Sequence, residues 1–123
     1  MCIRDSARPE GTPWRVGLAD PERQGMVTET IDLIDCAVAT SAGAGFRFDA
    51  SGRFTHLFDP ATGRSPSRYS TVSVLAPTAT EADALSTAFS LMPPSEIRDI
   101  VAARANVQAR LTDSSGTLTV YGV

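Results

Sequence analysis

Apolar residues recur at every second position in several short segments of the chain, a spacing that gives a β-strand one buried face. The segment CAVATS at residues 36–41 is nearly all apolar, which predicts a strand buried on both faces. Phe54, His56 and Phe58 fall in phase and indicate the second strand of a hairpin. We therefore predict strands within residues 14–20, 28–41, 46–48, 53–58, 69–77, 107–113 and 117–123.

The spacing changes to that of a helix after Pro77. A first helix is predicted within residues 78–92, whose inward positions are Leu85, Ala88, Phe89 and Met92. Two pairs have the spacing of a capping box at its start, Thr78 with Glu81 and Thr80 with Asp83.

A second helix is predicted over residues 96–105, because Pro93 and Pro94 end the first one. Ser95 is its candidate N-cap, and its inward residues are Ile97, Ile100 and Val101. Two consecutive helices among mostly antiparallel strands predict the α+β class.

Length and charge limit the kinds of molecule that the chain is expected to bind. The chain has 123 residues, the size of one domain, and a net charge of -3. Its basic residues are scattered, so a nucleic acid bound through its phosphates is not expected. Cys2 and Cys36 fit no metal or redox spacing.

Residues 1–13 follow neither period and are predicted to be a disordered leader ahead of a domain at residues 14–123. The first six residues, MCIRDS, are similar to a leader produced by translated sequencing adapters. The alternative is a disordered native tail.

Asp83 and Thr87 are the first candidates for chemistry. They lie four residues apart on the predicted helix and therefore share one face. A carboxylate and a hydroxyl are both hard oxygen ligands that suit Mg²⁺. The alternative is structural, since a carboxylate in the first turn of a helix is favourable without any metal.

His56 is the only histidine, and it precedes the turn sequence DPATG at residues 59–63. It could be a packed, hydrogen-bonded residue of the strand or a group that handles a proton near neutral pH. Asp59 fits either a catalytic role or the capping of the turn.

Four segments in this order resemble the ApbE family, the FAD:protein FMN transferases. They are WRVGLADP, CAVATS, HLFDPATG and EADALSTAF, and the resemblance extends from about Trp14 to the C-terminus. One departure is that Ala42 stands where the family pattern has a glycine, with Gly43 next. The family's upstream half, with most of the FAD-holding loop and helix, has no counterpart here, so the chain is similar to a C-terminal fragment.

The resemblance implies a reaction in which FAD is the substrate. A threonine hydroxyl of an acceptor redox protein attacks the FMN-side phosphorus, AMP leaves, and FMN remains attached. Mg²⁺ would assist by neutralising the pyrophosphate. The alternatives are a non-catalytic flavin-binding fragment and an FAD pyrophosphatase.

The resemblance also implies roles for individual residues. Asp83 and Thr87, with Ser86 beside them, would hold Mg²⁺, and His56 would be the catalytic residue. The residues expected to contact or shape the flavin site are Leu57, Thr40, Ser41, Thr62 and Gly63.

The expected cellular location of the protein rests on the family resemblance alone. It implies the periplasm or the outer face of the inner membrane, with any membrane association made through an N-terminal anchor that this chain lacks.

Overall fold

A five-stranded antiparallel sheet carries two helices on one face, in a computed structural model that describes residues 2–4, 7–20, 23, 25–43, 47–51 and 53–122. The strands in chain order are β1 (Cys2–Arg4), β2 (Trp14–Ala19), β3 (Val27–Leu33), β4 (Cys36–Ala42), β5 (Tyr69–Ala76), β6 (Gln108–Asp113) and β7 (Leu118–Tyr121). The main sheet has the order β1-β4-β5-β6-β7, and β2 and β3 form a separate two-stranded sheet. The predicted α+β class is confirmed.

The core lies between the main sheet and the helices, and it follows the period of two in the sequence. Along β4, β5 and β6 every second residue faces the helices, and these positions are Ala37, Ala39, Val72, Val74, Ala76, Ala109 and Leu111. The apolar anchors from the helices are Phe89, Ile97 and Val101, all buried. Burial of these side chains is the main stabilising contribution to this layer.

The first helix, α1 (Ala79–Phe89), begins where the sequence predicts. Its N-cap is Thr78, whose Oγ1 accepts a hydrogen bond from the Glu81 backbone N–H at 3.2 Å. Thr80, the other candidate cap, lies inside the helix. The structure therefore selects the first of the two capping pairs.

The second helix, α2 (Pro94–Ala102), begins earlier than predicted. Its N-cap is Pro93, which has no side chain able to accept a hydrogen bond, and Pro94 opens the helix. The expectation that Ser95 caps this helix is therefore wrong, because a proline fits the first helical position and moves the start back. Neither helix is long and apolar enough to cross a membrane, within the residues that the structure describes.

The predicted hairpin at residues 46–58 is reduced to one bridge in the described part of this segment. Arg47 pairs with Thr55, and the Phe48 N–H donates to the Phe54 carbonyl at 2.8 Å. The Thr55 N–H donates to the Ser65 hydroxyl at 2.8 Å, so it is not available for a strand partner. Phe54, His56 and Phe58 are consequently exposed loop residues.

The leader differs from the expectation as well. Cys2–Arg4 pairs with β4 at the edge of the main sheet, and Arg8 and Thr12 close a hydrogen-bonded turn. Met1, Asp5 and Ser6 lie outside the described residues.

Candidate functional site

Three hydroxyls meet where the end of β4 packs against α1. Ser41 Oγ lies 2.9 Å from Ser86 Oγ and 3.4 Å from Thr87 Oγ1. Ser41 faces the helix because it continues the row of Ala37 and Ala39 along β4. Two of the predicted metal-site residues and one predicted flavin-site residue therefore lie in direct contact.

Ser86 is wholly buried, with 0% of its surface exposed. Its hydroxyl donates to the Asp83 carbonyl oxygen at 3.0 Å and also contacts Ser41. Both contacts lie inside the protein, so the Ser86 hydroxyl has no open side for a cation.

Asp83 and Thr87 are exposed to solvent on α1, so they form the solvent-facing side of this cluster. Within the described residues, no donor or cation contacts the Asp83 carboxylate. Asp83 is the fifth residue of α1, whereas the first-turn acid is Glu81, which pairs with Arg104 at 3.3 Å. The alternative of Asp83 as a first-turn stabiliser is therefore wrong, because that effect fades beyond the first turn.

Thr40 faces the opposite side of the sheet from Ser41. Its Oγ1 lies 2.7 Å from the hydroxyl of the buried Ser73 on β5. Neighbours along a strand point to opposite faces, so Thr40 and Ser41 cannot serve the same face of the sheet. The structure does not bring Thr40 together with the α1 residues.

The loop that carries His56 is fixed by its neighbours in sequence. Thr55 is buried, and its Oγ1 accepts from the Leu57 N–H at 3.3 Å. Ser65 Oγ accepts from the Thr55 N–H and donates to the Thr55 carbonyl at 3.3 Å. His56 is exposed between these anchored residues, and its ring makes no hydrogen bond or ion pair in the described part of the chain.

Gly43 links this loop to the end of β4. A side chain at Gly43 would place its Cβ 3.4 Å from Thr55 Cγ2. The backbone two residues after Ser41 therefore lies against the residue that precedes His56.

The turn after His56 is held by one carboxylate. Asp59 Oδ1 accepts from the Ala61 N–H at 2.9 Å, and Asp59 Oδ2 accepts from the Thr62 hydroxyl at 3.1 Å. Gly63 has a φ of 66°, in the left-handed region that favours glycine. The turn-capping alternative for Asp59 is confirmed, and Thr62 and Gly63 shape the same turn.

A groove of about 380 Å³ separates this turn from the end of α1. Asp59, Thr62, Arg64 and Arg68 line one side, and Ser90 and Leu91 line the other. The groove is polar, and its lining combines the two cationic side chains with the Asp59 carboxylate.

Two ionisable side chains, Asp49 and Tyr69, stabilise the backbone around the site through hydrogen bonds. A hydrogen bond from Ser51 and one from the Phe54 N–H hold the pKa of Asp49 below its usual value, so this carboxylate stays charged and closes the start of the loop. Burial raises the pKa of Tyr69, whose hydroxyl donates to the Met92 carbonyl at 3.1 Å. Tyr69 thus ties β5 to the connection between the helices.

The two solvent-facing residues, Asp83 and Thr87, have the ligand chemistry that Mg²⁺ prefers. Asp83 and Thr87 offer two hard oxygens, and Mg²⁺ usually takes one or two protein oxygens and keeps water and substrate phosphates. Among the described residues no group of three or more His, Cys, Asp or Glu side chains forms a cage. A cation here would therefore depend on its substrate for the remaining ligands.

The family model described as the ApbE family matches residues 2–111. The chain belongs to the ApbE family. The FAD:protein FMN transferase of Escherichia coli K12 is 35% identical over 96 residues, which is 75% of this chain and 27% of that protein. The chain therefore spans about a quarter of the length of this curated relative.

Solved ApbE structures agree with the fold. The ApbE protein of Thermotoga maritima has a TM-score of 0.81 and 31% identity, and the match covers 94% of this chain and 38% of that one. The flavin transferase ApbE of Vibrio cholerae has a TM-score of 0.64 and 25% identity, covering 94% and 37% of the two chains.

Sequence reasoning missed the residues that support this ApbE site. Thr55 and Ser65 anchor the His56 loop, and Ser73 is the partner of Thr40. The spacing gave no signal for Thr55, because it put Phe54, His56 and Phe58 together on one strand face and Thr55 on the other. Nothing in the spacing of Ser65 or Ser73 indicates a partner that is distant in sequence.

Proposed function

We propose that this chain is the C-terminal part of a Mg²⁺-dependent FAD:protein FMN transferase, in which Asp83 and Thr87 hold the metal and His56 serves the proton transfer. The observation that carries the proposal is the exposed pair Asp83 and Thr87 on α1. Thr87 contacts Ser41 at the end of β4, and Gly43, two residues later, lies against the loop that carries His56. The names of the relatives supply the reaction class.

The reaction joins FMN to a threonine of an acceptor protein. The threonine oxygen forms a bond to the FMN-side phosphorus of FAD, and the bond between that phosphorus and the bridging pyrophosphate oxygen breaks, so that the bridging oxygen leaves as part of AMP. AMP leaves with the bonding electrons, and the threonine proton passes to His56. An exposed imidazole on an anchored loop suits this role because its ring nitrogens can accept and release a proton while the backbone holds it in place.

The remaining residues orient the substrate. Leu57 follows His56 on the anchored loop and would contact the flavin. Thr62 and Gly63 keep the turn in shape, and Arg64 and Arg68 border the groove beside it. When bound, Mg²⁺ would neutralise pyrophosphate charge and orient its oxygens.

The acceptor and the location complete the proposal. The acceptor is a redox protein with a threonine flavinylation motif, and the reaction takes place at the outer face of the cytoplasmic membrane. This part rests on the family alone.

We predict that Asp83→Ala abolishes Mg²⁺-dependent FMN transfer while the fold is retained. The protein to use is the full-length protein, meaning a protein of the relatives' length that contains this chain. The carboxylate is exposed, lies beyond the first turn and has no partner in the described residues, so its loss should change stability by less than about 0.5 kcal/mol. Transfer is measured as AMP released from FAD across a range of Mg²⁺ concentrations.

Glu81→Ala is the matched control, since it removes the same charge from the same helix. It breaks the ion pair with Arg104 and removes the negative charge from the first turn. The free energy of unfolding should fall by about 0.3–1 kcal/mol, while FMN transfer continues. Parental activity of Asp83→Ala at every Mg²⁺ concentration would refute the metal role of Asp83.

A further inference from the structure

The contacts of Ser41 differ from those expected of a flavin ligand. Ser41 was expected to line the flavin site, yet its hydroxyl lies between the two α1 hydroxyls of Ser86 and Thr87. Its contacts point along the interface between β4 and α1. The contact with Ser41 bears on how the Thr87 hydroxyl is oriented.

The hydroxyl protons in this cluster can be assigned by counting. There are three hydrogen bonds and each hydroxyl has one proton to donate. Ser86 must donate to the Asp83 carbonyl, since a carbonyl oxygen only accepts. The bond between Ser41 and Ser86 then uses the Ser41 proton, and the longer bond to Thr87 uses the Thr87 proton.

Only this assignment makes all three bonds. It turns the proton of Thr87 inward, toward Ser41, and leaves the lone pairs of Thr87 Oγ1 on the exposed side of α1. A metal ion binds lone pairs and is repelled by a hydroxyl proton that points at it. The hydroxyl of Thr87 is therefore oriented as a ligand before any cation arrives.

We propose that Ser41 is a positioning residue that orients the Thr87 hydroxyl for the metal, and that it acts through Ser86 and Thr87 rather than by contact with the flavin. This inference rests on the proposed function, because it takes Asp83 and Thr87 as the metal ligands. Residues that orient metal ligands typically contribute 10–100-fold to metal affinity.

The test is Mg²⁺ binding to the full-length protein, measured by titration calorimetry at a fixed concentration of FAD. Ser41→Ala removes the acceptor for the Thr87 proton, so the Kd for Mg²⁺ should rise by about 10-fold or more. Thr117→Ala is the matched control, because it also deletes a bond between two hydroxyls, those of Thr117 and Ser115 in the turn between β6 and β7. Its Kd should equal that of the parent.

A kinetic measurement separates positioning from a structural defect. The Ser41→Ala protein should need more Mg²⁺ for half-maximal AMP release but should approach the parental rate at saturating Mg²⁺. A lower maximal rate with unchanged Mg²⁺ dependence would overturn the positioning role.

Ser86→Ala provides a second route if Ser41→Ala does not fold. Alanine fits the buried helical position and removes the acceptor for the Ser41 proton, which can then turn toward Thr87. The Kd for Mg²⁺ should again rise by about 10-fold or more. A Kd within about threefold of the parental value, in whichever of the two variants folds, overturns the inference.

Asp83→Ala in the same titration distinguishes this inference from the proposed function. If Asp83→Ala weakens Mg²⁺ binding and the serine variants do not, the metal site stands and the role of Ser41 is refuted. If Asp83→Ala binds Mg²⁺ as the parent does, the metal site itself is refuted, and the inference fails with it.

Discussion

At the residue scale, His56 is an exposed side chain on a backbone that its neighbours hold in place. Thr55 and Ser65 form two hydrogen bonds on one side of it, and Asp59 caps the turn on the other. The imidazole is therefore free to meet a substrate while its Cα is restrained. This combination suits a group that must be positioned for proton transfer.

We predict that His56→Gln lowers the rate of FMN transfer by about 10²–10⁴, because glutamine keeps the hydrogen-bonding capacity but cannot take up the proton. Since His56 has no hydrogen bond or ion pair in the described part of the chain, the fold should be unaffected. The rate of AMP release and the Kd for FAD are measured on the same preparations. Weaker FAD binding with an unchanged turnover rate would instead make His56 a flavin contact.

At the same scale, the sequence predicted that Asp83 and Thr87 share a helix face but not how the neighbouring side chains are directed. The spacing of Asp83 and Thr87 correctly put both on one exposed face of α1. It could not show that Ser86 is buried, because that depends on the packing of α1 against β4. Alternation along the predicted strand puts Thr40 and Ser41 on opposite faces, but it could not show which of the two faces α1, because that depends on how the helices pack.

At the scale of elements, local periodicity predicted both helices and most strands, but it missed β1 and placed β3 and β4 within one run at residues 28–41. Two of the failures occurred where a contact distant in sequence decided the outcome. The bond of the Thr55 N–H to Ser65 replaced strand pairing in the predicted hairpin. Residues 2–4 became an edge strand because β4 offered an open edge, which no local pattern reveals.

We predict that Thr78→Ala destabilises the start of α1 by about 1 kcal/mol, because it removes the hydroxyl that accepts from the Glu81 N–H. Hydrogen exchange of the first α1 amides should become faster in this variant. Thr80→Ala is the matched control, since Thr80 lies inside the helix and alanine has the higher helix propensity. Equal exchange rates in the two variants would contradict the assignment of Thr78 as the cap.

At the scale of the whole molecule, the two faces of the main sheet are covered to different extents, since the helix face is the core and the opposite face buries Val38 and Ser73 but leaves part of β7 exposed. The helices cover the first, and the β2–β3 hairpin reaches the second through an ion pair between Glu29 and Arg110. Leu118 and Val120 on β7 remain 49% and 42% exposed. The chain also spans only 27% of its Escherichia coli relative.

We predict that the 123-residue chain expressed alone forms oligomers or aggregates and releases no AMP from FAD. Exposed apolar side chains and unpaired sheet edges favour association. Asp83 and Thr87 also supply too few ligands to retain Mg²⁺ without the rest of the site. Size-exclusion chromatography with light scattering and an AMP assay check both parts, and an active monomer would contradict them.

The most direct test of the account compares two products of the full-length protein incubated with FAD, Mg²⁺ and an acceptor domain that carries a threonine flavinylation motif. AMP released into solution and FMN attached to the acceptor are quantified in the same sample by chromatography and intact-protein mass spectrometry. We predict equal amounts of the two, and neither product with the Asp83→Ala variant. AMP released together with free FMN would indicate FAD hydrolysis, and no AMP at all would indicate a flavin-binding protein; either result would contradict the proposed transferase.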